Sequence, residues 1–500
     1  MNSIRFKPLK TVYVILTIVV ALAFLSACAT GSTSLPPTTS AAGAATPVAA
    51  VPATGATSGP AATLTVAPAA GAAASATVAP AATQSGGPTA VPSATATLPP
   101  NVAGGTRIAV VHGAMIDSMR KLADKYNQAN PGKVVTVEEE PEGGAFDALI
   151  AAGNQPDIIT VSFGTQIGHY AAAGVAAPLE DLDGAKDLFA KVDPATVQNL
   201  YGHNYYMPIG ADVTVMIYNK DLFKEAGLDP ATPPATFADF LTDAAKIQAL
   251  PARSDGSKVY GTVFWNDALS WGGWYWNMLQ PIYLNANQGK CQLLNKLATD
   301  IVFDQAECKM TDFFDFTQKA QKFAPPTMEK SFFSRSIGMW PQYGYSWEPN
   351  LKEAAGTPMV IGKDVGVAPV PVLTAGTTAY TTYGGRAYMI MKTTPERQQN
   401  AWNFVKFLMQ DPNNLQFLED LGYLPILGSL KSDAYFQDPA RKPFVDILKN
   451  AVMPEQYEAA DKVANAILGV YQAAVVQGSM NPQDAMTQAA QKARAALSAK

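Results

Sequence analysis

The residues best suited to chemistry in this chain are aromatic and amide side chains gathered in two short stretches. Four of the seven Trp fall in the first, Trp265, Trp271, Trp274 and Trp276, with Tyr275 between the last two and Asn266 and Asp267 beside the first. Flat apolar rings beside a few fixed polar groups are the lining of a small-molecule site. Trp265 closes the apolar run 261–264 and is expected at a cleft, whereas helical spacing sets Trp271, Trp274 and Tyr275 on one face. Trp274 and Trp276 therefore fit core packing as well as ligand contact. The second stretch, 340–347, carries Trp340, Tyr343, Tyr345 and Trp347. Tyr343 and Trp347 are its candidates for ligand contact, an aromatic surface loop being the other reading. A third group, His112, Glu140, Ser162, Gln166 and Asp212, stands near the carboxyl ends of expected strands or at a crossing. Gly384, Gly385 and Arg386 add backbone N–H donors and one positive charge.

These residues do not assemble a catalytic device. The three His, at 112, 169 and 203, have no metal-ligand spacing. Gly344-Tyr345-Ser346-Trp347-Glu348 lacks the second Gly of a nucleophile elbow. Glu138, Glu139, Glu140 and Glu142 suggest paired carboxylates, but neighbours on a strand point to opposite faces, and a solvated loop is expected there. No phosphate-binding or dinucleotide loop occurs. Hence no catalytic residue, cofactor or metal is expected.

The elements that must position these groups alternate. Residues 106–111 read as a strand, 115–128 as a helix with Met115, Met119, Leu122 and Tyr126 at helical spacing, and 134–137 as a second strand. A helix at 146–152 and a strand at 156–161 complete a β-α-β-α-β start. Such a start argues for an α/β sheet with parallel strands, whose ligands sit beyond the carboxyl ends of the strands. Strands follow at 213–218, 365–372 and 387–391, with helices at 221–226, 237–250, 395–409, 459–476 and 482–497.

Charge divides the chain. After Lys10 no charged residue occurs until Arg107, so residues 107–500 hold all 41 acids and 33 of the 36 bases, a net −8. An acidic body without a basic stripe makes nucleic acid an unsuitable partner. Its 394 residues exceed one ordinary core, so two lobes are expected. Arg5, Lys7 and Lys10 precede the apolar run 11–24, the pattern of an export signal. Leu25-Ser26-Ala27-Cys28 resembles a bacterial lipoprotein signal over 1–27, which implies lipidation at Cys28 and a lipid anchor on the outer membrane face. The stretch 28–104 is almost wholly Ala, Thr, Pro, Ser, Gly and Val, a disordered tether with a reach of roughly 50 Å as a flexible coil. In an exported chain Cys291 and Cys308 are either bridged or two separate buried thiols.

Eight phrases in order resemble the family of extracellular solute-binding proteins that includes maltose-binding protein. They include Gly153 with Pro156-Asp157-Ile158, then Gly174 to Pro178-Leu179, Tyr206-Met207-Pro208, and Tyr218-Asn219-Lys220 running on to Gly227-Leu228. Gly384-Gly385, the segment 401–408, Gly422-Tyr423-Leu424-Pro425 and 478–485 follow. The chain departs from the pattern after Phe333 and at Thr236-Phe237, where Thr-Trp is common. The resemblance implies a two-lobed, periplasmic-binding-protein-like α/β fold with three hinge crossings near Pro208, Pro371 and Pro425. Lobe 1 would be 105–209 with 372–425, and lobe 2 would be 210–371 with 426–500. It also implies capture of a carbohydrate, an oligosaccharide or glycoside, for a membrane ABC permease driven by a separate ATPase, by a monomer. Trp347 matches a position that contributes a ligand-stacking ring in relatives. The alternatives are a surface carbohydrate-active enzyme or adhesin, or the same fold serving a non-sugar solute or a sensor.

Overall fold

The computed structural model describes residues 105–499, apart from 112, 142–144, 265–272, 327–331, 353 and 355–356. The expected export signal, Cys28 and tether lie outside the described residues, as do His112, Trp265 and Trp271.

The strands are β1 (Thr106–Val110), β2 (Val135–Glu139), β3 (Ile158–Ser162), β4 (Tyr206–Asn219), β5 (Tyr260–Thr262), β6 (Ile337–Gly344), β7 (Val365–Ala368), β8 (Thr381–Ile390) and β9 (Ala451–Val452). β1 lies between β2 and β3, parallel to both, as the alternating start predicts. The intervening helix Ala114–Ala129 buries Met115, Met119, Leu122, Ala123 and Tyr126, one stripe of its 3.6-residue period. β8 then returns from far along the chain and inserts antiparallel between β3 and β4. The sheet order is β2-β1-β3-β8-β4-β6-β5, so the sheet is mixed.

β4 joins the two halves. Its first part pairs with β8 as far as Val213, and its second part pairs with β6 and β7 from Thr214 onward. Two hydrophobic cores flank it. One surrounds β1, β3 and β8 and includes Trp402, Phe404 and Tyr388; the other includes Phe240, Tyr283, Phe313 and Tyr471. Phe237 and Phe316 stack in the second core with ring centroids 4.0 Å apart, and fully burying a ring of this size stabilises by about 1.5–3 kcal/mol.

Local signals start the helices where expected. Asn219 ends β4 and accepts from the N–H groups of Asp221 and Leu222, capping Lys220–Glu225. Thr236 and Asp239 form a reciprocal capping box on Phe237–Gln248, so the Thr-Phe departure keeps the cap. The helix predicted over 459–476 is α-helical only over Glu458–Tyr471 and continues as a π turn over Gln472–Val476, a change of hydrogen bonding that apolar periodicity does not reveal.

Glu138 and Glu139 lie in a strand rather than in the solvated loop expected for the acidic run. Glu138 lies in β2, nearly buried, and Arg107 Nη2 donates to its Oε1 at 2.9 Å while Arg107 Nε donates to Oε2 at 3.2 Å. Burial pushes the Glu138 carboxyl up, and Arg107 opposes this. Asp157, in the Pro-Asp phrase, is likewise structural: it accepts from Arg107 N at 2.9 Å and from Arg397 Nε at 2.8 Å.

Candidate functional site

Three adjacent strands put the candidate polar groups in one row. Ser162 ends β3 opposite Arg386 of β8, and Gly384 of β8 stands opposite Asp212 of β4. The register of β4 slips between Pro208 and Gly210, which brings it close against β8. Gly385 answers that slip: its φ is +114°, and a Cβ there would lie 2.3 Å from the Gly210 carbonyl oxygen. Across from this row, the helix Gly273–Asn287 supplies Trp276, Asn277 and Met278, and Asn277 Nδ2 reaches the Phe163 carbonyl at 3.5 Å.

Two adjoining cavities result. One of about 230 Å³ is lined by Ser162, Phe163, Gln166, Trp276, Asn277 and Glu455, among others. Another of about 220 Å³ is lined by Ser162, Phe163, Asp212, Ser346, Arg386 and Tyr423, among others. They share Ser162, Phe163 and Asn277, and together they fall within the roughly 300–1,000 Å³ usual for small-molecule sites.

The polar lining is mostly hydroxyls and amides, with two carboxyls, Asp212 and Glu455, and one cation, Arg386. Asp212 accepts from Ser346 Oγ at 2.6 Å, Val213 N at 2.8 Å and Ser346 N at 3.3 Å. Burial nevertheless raises its carboxyl above the ordinary aspartate range. Arg386 is already engaged: Nη2 donates to the Thr160 carbonyl at 2.8 Å, Nη1 donates to Ser162 Oγ at 3.3 Å, and Glu140 Oε2 lies 3.6 Å away. Glu140 is pushed up by burial and pulled back by Arg386. Glu455 accepts from Leu293 N at 2.9 Å and Leu294 N at 2.8 Å, yet burial raises its carboxyl to about 7. Tyr423 is raised to about 12, chiefly by burial.

Of the residues singled out by sequence, Ser162, Gln166, Asp212, Gly385 and Arg386 meet at these cavities. Gln166 Oε1 also accepts from Ser162 N at 3.2 Å, which ties the strand end to the next helix. Glu140 stands behind Arg386 rather than on the wall. Tyr343 is 0% exposed, packing edge-on against Trp340 with ring centroids 5.6 Å apart. Its neighbour Gly344 lines the cavity, and alternation along β6 turns Tyr343 to the other side. The backbone of Trp347 closes a short 3₁₀ turn directly after Ser346, while its side chain lies outside the described set. Trp276 serves both readings given for it, being 4% exposed against Phe313 and Tyr283 while facing a cavity.

Sequence reasoning missed Phe163, Asn277, Tyr423 and Glu455. Phe163 directly follows a strand end and Tyr423 sits inside a recognised phrase, so both had a signal. Asn277 and Glu455 had none.

The two-lobed fold and its central cavities define a protein that encloses a small solute. A model of the bacterial extracellular solute-binding protein family matches residues 112–414, and the chain belongs to that family, as a maltose-binding-protein-like solute-binding protein of the ABC-transporter type. The maltotriose-binding protein of Pyrococcus abyssi is 23% identical, over 70% of this chain and 74% of that one. The sn-glycerol-3-phosphate-binding periplasmic protein of Pectobacterium atrosepticum is 25% identical, over 77% and 89%. The crystal structure of the cyclic alpha-maltosyl-1,6-maltose binding protein from Arthrobacter globiformis superposes with a TM-score of 0.67 at 19% identity, over 79% of this chain and 98% of that one.

Proposed function

We propose that this protein captures a neutral carbohydrate, an oligosaccharide or glycoside, between its lobes and delivers it to an ABC permease. The observation that carries this reading is the charge of the cavities. Among the described residues their ionisable lining is Asp212, Glu455, Arg386 and Tyr423, and Arg386 already faces Glu140 and two oxygen acceptors. Carboxylates and amides accept and position sugar hydroxyls. Among the described residues a phosphate, by contrast, would meet two carboxyls and a single cation, Arg386, whose charge already faces Glu140, an arrangement that costs several kcal/mol for a buried anion. The relative named for maltotriose supports the sugar reading, and the lining disfavours the glycerol phosphate of the other.

Solute contacting both lobes favours the closed form, which the permease and its separate ATPase partner then engage. The lobes are 105–209 with 372–425 and 210–371 with 426–500, hinged near Pro208, Pro371 and Pro425. The chain acts as a monomer without a cofactor or catalysis, held outside the membrane by lipid at Cys28. Trp265, Trp271, Trp347 and His112 complete the site around Ser162, Gln166, Asp212, Gly385 and Arg386. Calorimetry across neutral sugars, sugar phosphates and polyamines tests this, with Trp265→Ala and Trp347→Ala each weakening the best sugar at least tenfold. Binding of only a phosphate or a cation would overturn the carbohydrate reading.

A further inference from the structure

The acids at 138–140 alternate in exposure: Glu138 and Glu140 are partly buried, and Glu139 between them is exposed, because successive side chains on a strand point to opposite faces. The two inward carboxyls are held differently. Glu138 takes hydrogen bonds from Arg107 on both of its oxygens. Glu140 directly follows β2, its own N–H donating to the Val110 carbonyl at 2.8 Å, and its Oε2 is shut off from solvent with no hydrogen-bond donor among the described residues. The link to Arg386 is one of charge, with Oε2 standing 3.6 Å from Nη2. A carboxylate kept for architecture is expected to be tied by hydrogen bonds, as Glu138 is, since an untied buried oxygen costs stability. What Glu140 supplies is therefore its negative charge, delivered to Arg386.

Arg386 is the cation of the two main cavities among the described residues. Its Nη atoms donate to the Thr160 carbonyl and to Ser162 Oγ, neither of which carries a net charge. Asp212, on β4, accepts from Ser346 and Val213. Charge balance at the guanidinium therefore rests on Glu140, which does not line either cavity. Without that carboxylate, a largely enclosed space would hold an uncompensated positive charge, and in such a space charges act over several ångströms because solvent screens them weakly. A phosphate entering it would gain from the change. A neutral sugar, held by hydroxyls and amides, would not.

We propose that Glu140, without touching solute, sets the selectivity of this site for uncharged solutes by neutralising Arg386. This rests on the carbohydrate reading above and deepens it, naming the residue that turns anions away. Titration calorimetry of the full chain tests it, with maltose, cellobiose, mannobiose and their trisaccharides on one side and inorganic phosphate, glucose 1-phosphate and sn-glycerol 3-phosphate on the other. Glu140→Gln, which keeps the shape and removes the charge, should improve the binding of at least one phosphate relative to the best neutral sugar by about tenfold or more, equivalent to about 1.4 kcal/mol, and the gain should shrink as salt is raised. Glu140→Asp should keep the wild-type preference, and adding Arg386→Gln to Glu140→Gln should abolish the gain. A merely structural Glu140 would weaken both classes alike. That result, an unchanged ratio, or a gain that survives the loss of Arg386 overturns the proposal, while the carbohydrate reading stands on the wild type's binding of a neutral sugar. If the wild type binds none of the neutral sugars, both readings fall.

Discussion

Glu455→Gln separates the cost of a buried charge from the value of its hydrogen bonds. Burial lifts the Glu455 carboxyl from an ordinary 4.5 to about 7, against the pull of the Leu293 and Leu294 N–H groups. A carboxyl raised on folding contributes stability that is fully present below its unfolded pKa and is lost as pH climbs through the folded one. Each pH unit of that interval corresponds to about 1.4 kcal/mol, so the folded wild type should lose about 3 kcal/mol through this group between pH 4.5 and pH 8. Glutamine mimics the protonated acid and keeps one good acceptor, giving up about 1 kcal/mol with the second. The variant should therefore lie within about 1 kcal/mol of wild type at pH 4.5 and be more stable by about 2 kcal/mol at pH 8. Urea denaturation followed by tryptophan fluorescence at the two pH values measures the offset. An offset that does not change with pH, or a variant less stable at pH 8, would refute the assignment of Glu455 as a group buried at the cost of its charge.

Further expectations concern the site and its supports. Asp212→Asn should weaken the best-bound sugar about tenfold or more by calorimetry, because a paired buried acceptor is worth about 1–3 kcal/mol; unchanged affinity would make Asp212 a purely structural tie to Ser346. Removing the 17-residue-separated disulfide with Cys291→Ser and Cys308→Ser should cost about 3 kcal/mol of stability by the chain-entropy argument, read from the denaturation midpoint. Gly385→Ala should destabilise by more than 1 kcal/mol, since its positive φ and its approach to Gly210 are both denied to alanine. A calorimetric scan showing no loss would mean that β8 can draw away from β4.

The regular frame was readable because its causes are local. The stripe on Ala114–Ala129, the caps at Asn219 and Thr236, and the alternation through β1, β2 and β3 all act within a few residues. The site was readable where a general rule holds, as at Ser162 beyond a parallel strand. At Tyr343 the sequence is silent, because every residue of β6 is buried and alternation there carries no sign of which face meets solute. The acidic run was misread because its partners, Arg107 and Arg386, come from other strands. Glu455 stayed silent for a related reason. It sits in a loop without a motif, and only the return of the chain past β8 and β9 brings it to the wall made by residues 292–294.

The continuity of β4 also determines how this chain can be divided. A cut between Val213 and Thr214 separates the strand's two sets of partners, but the carboxyl-terminal piece would still own β8, the strand that fills the gap between β3 and β4. No single break yields a self-sufficient half. Fragments from such a break would each expose unsatisfied sheet edge and so would tend to find one another, which makes this strand a natural place to split the protein into two chains that report on their own reassembly.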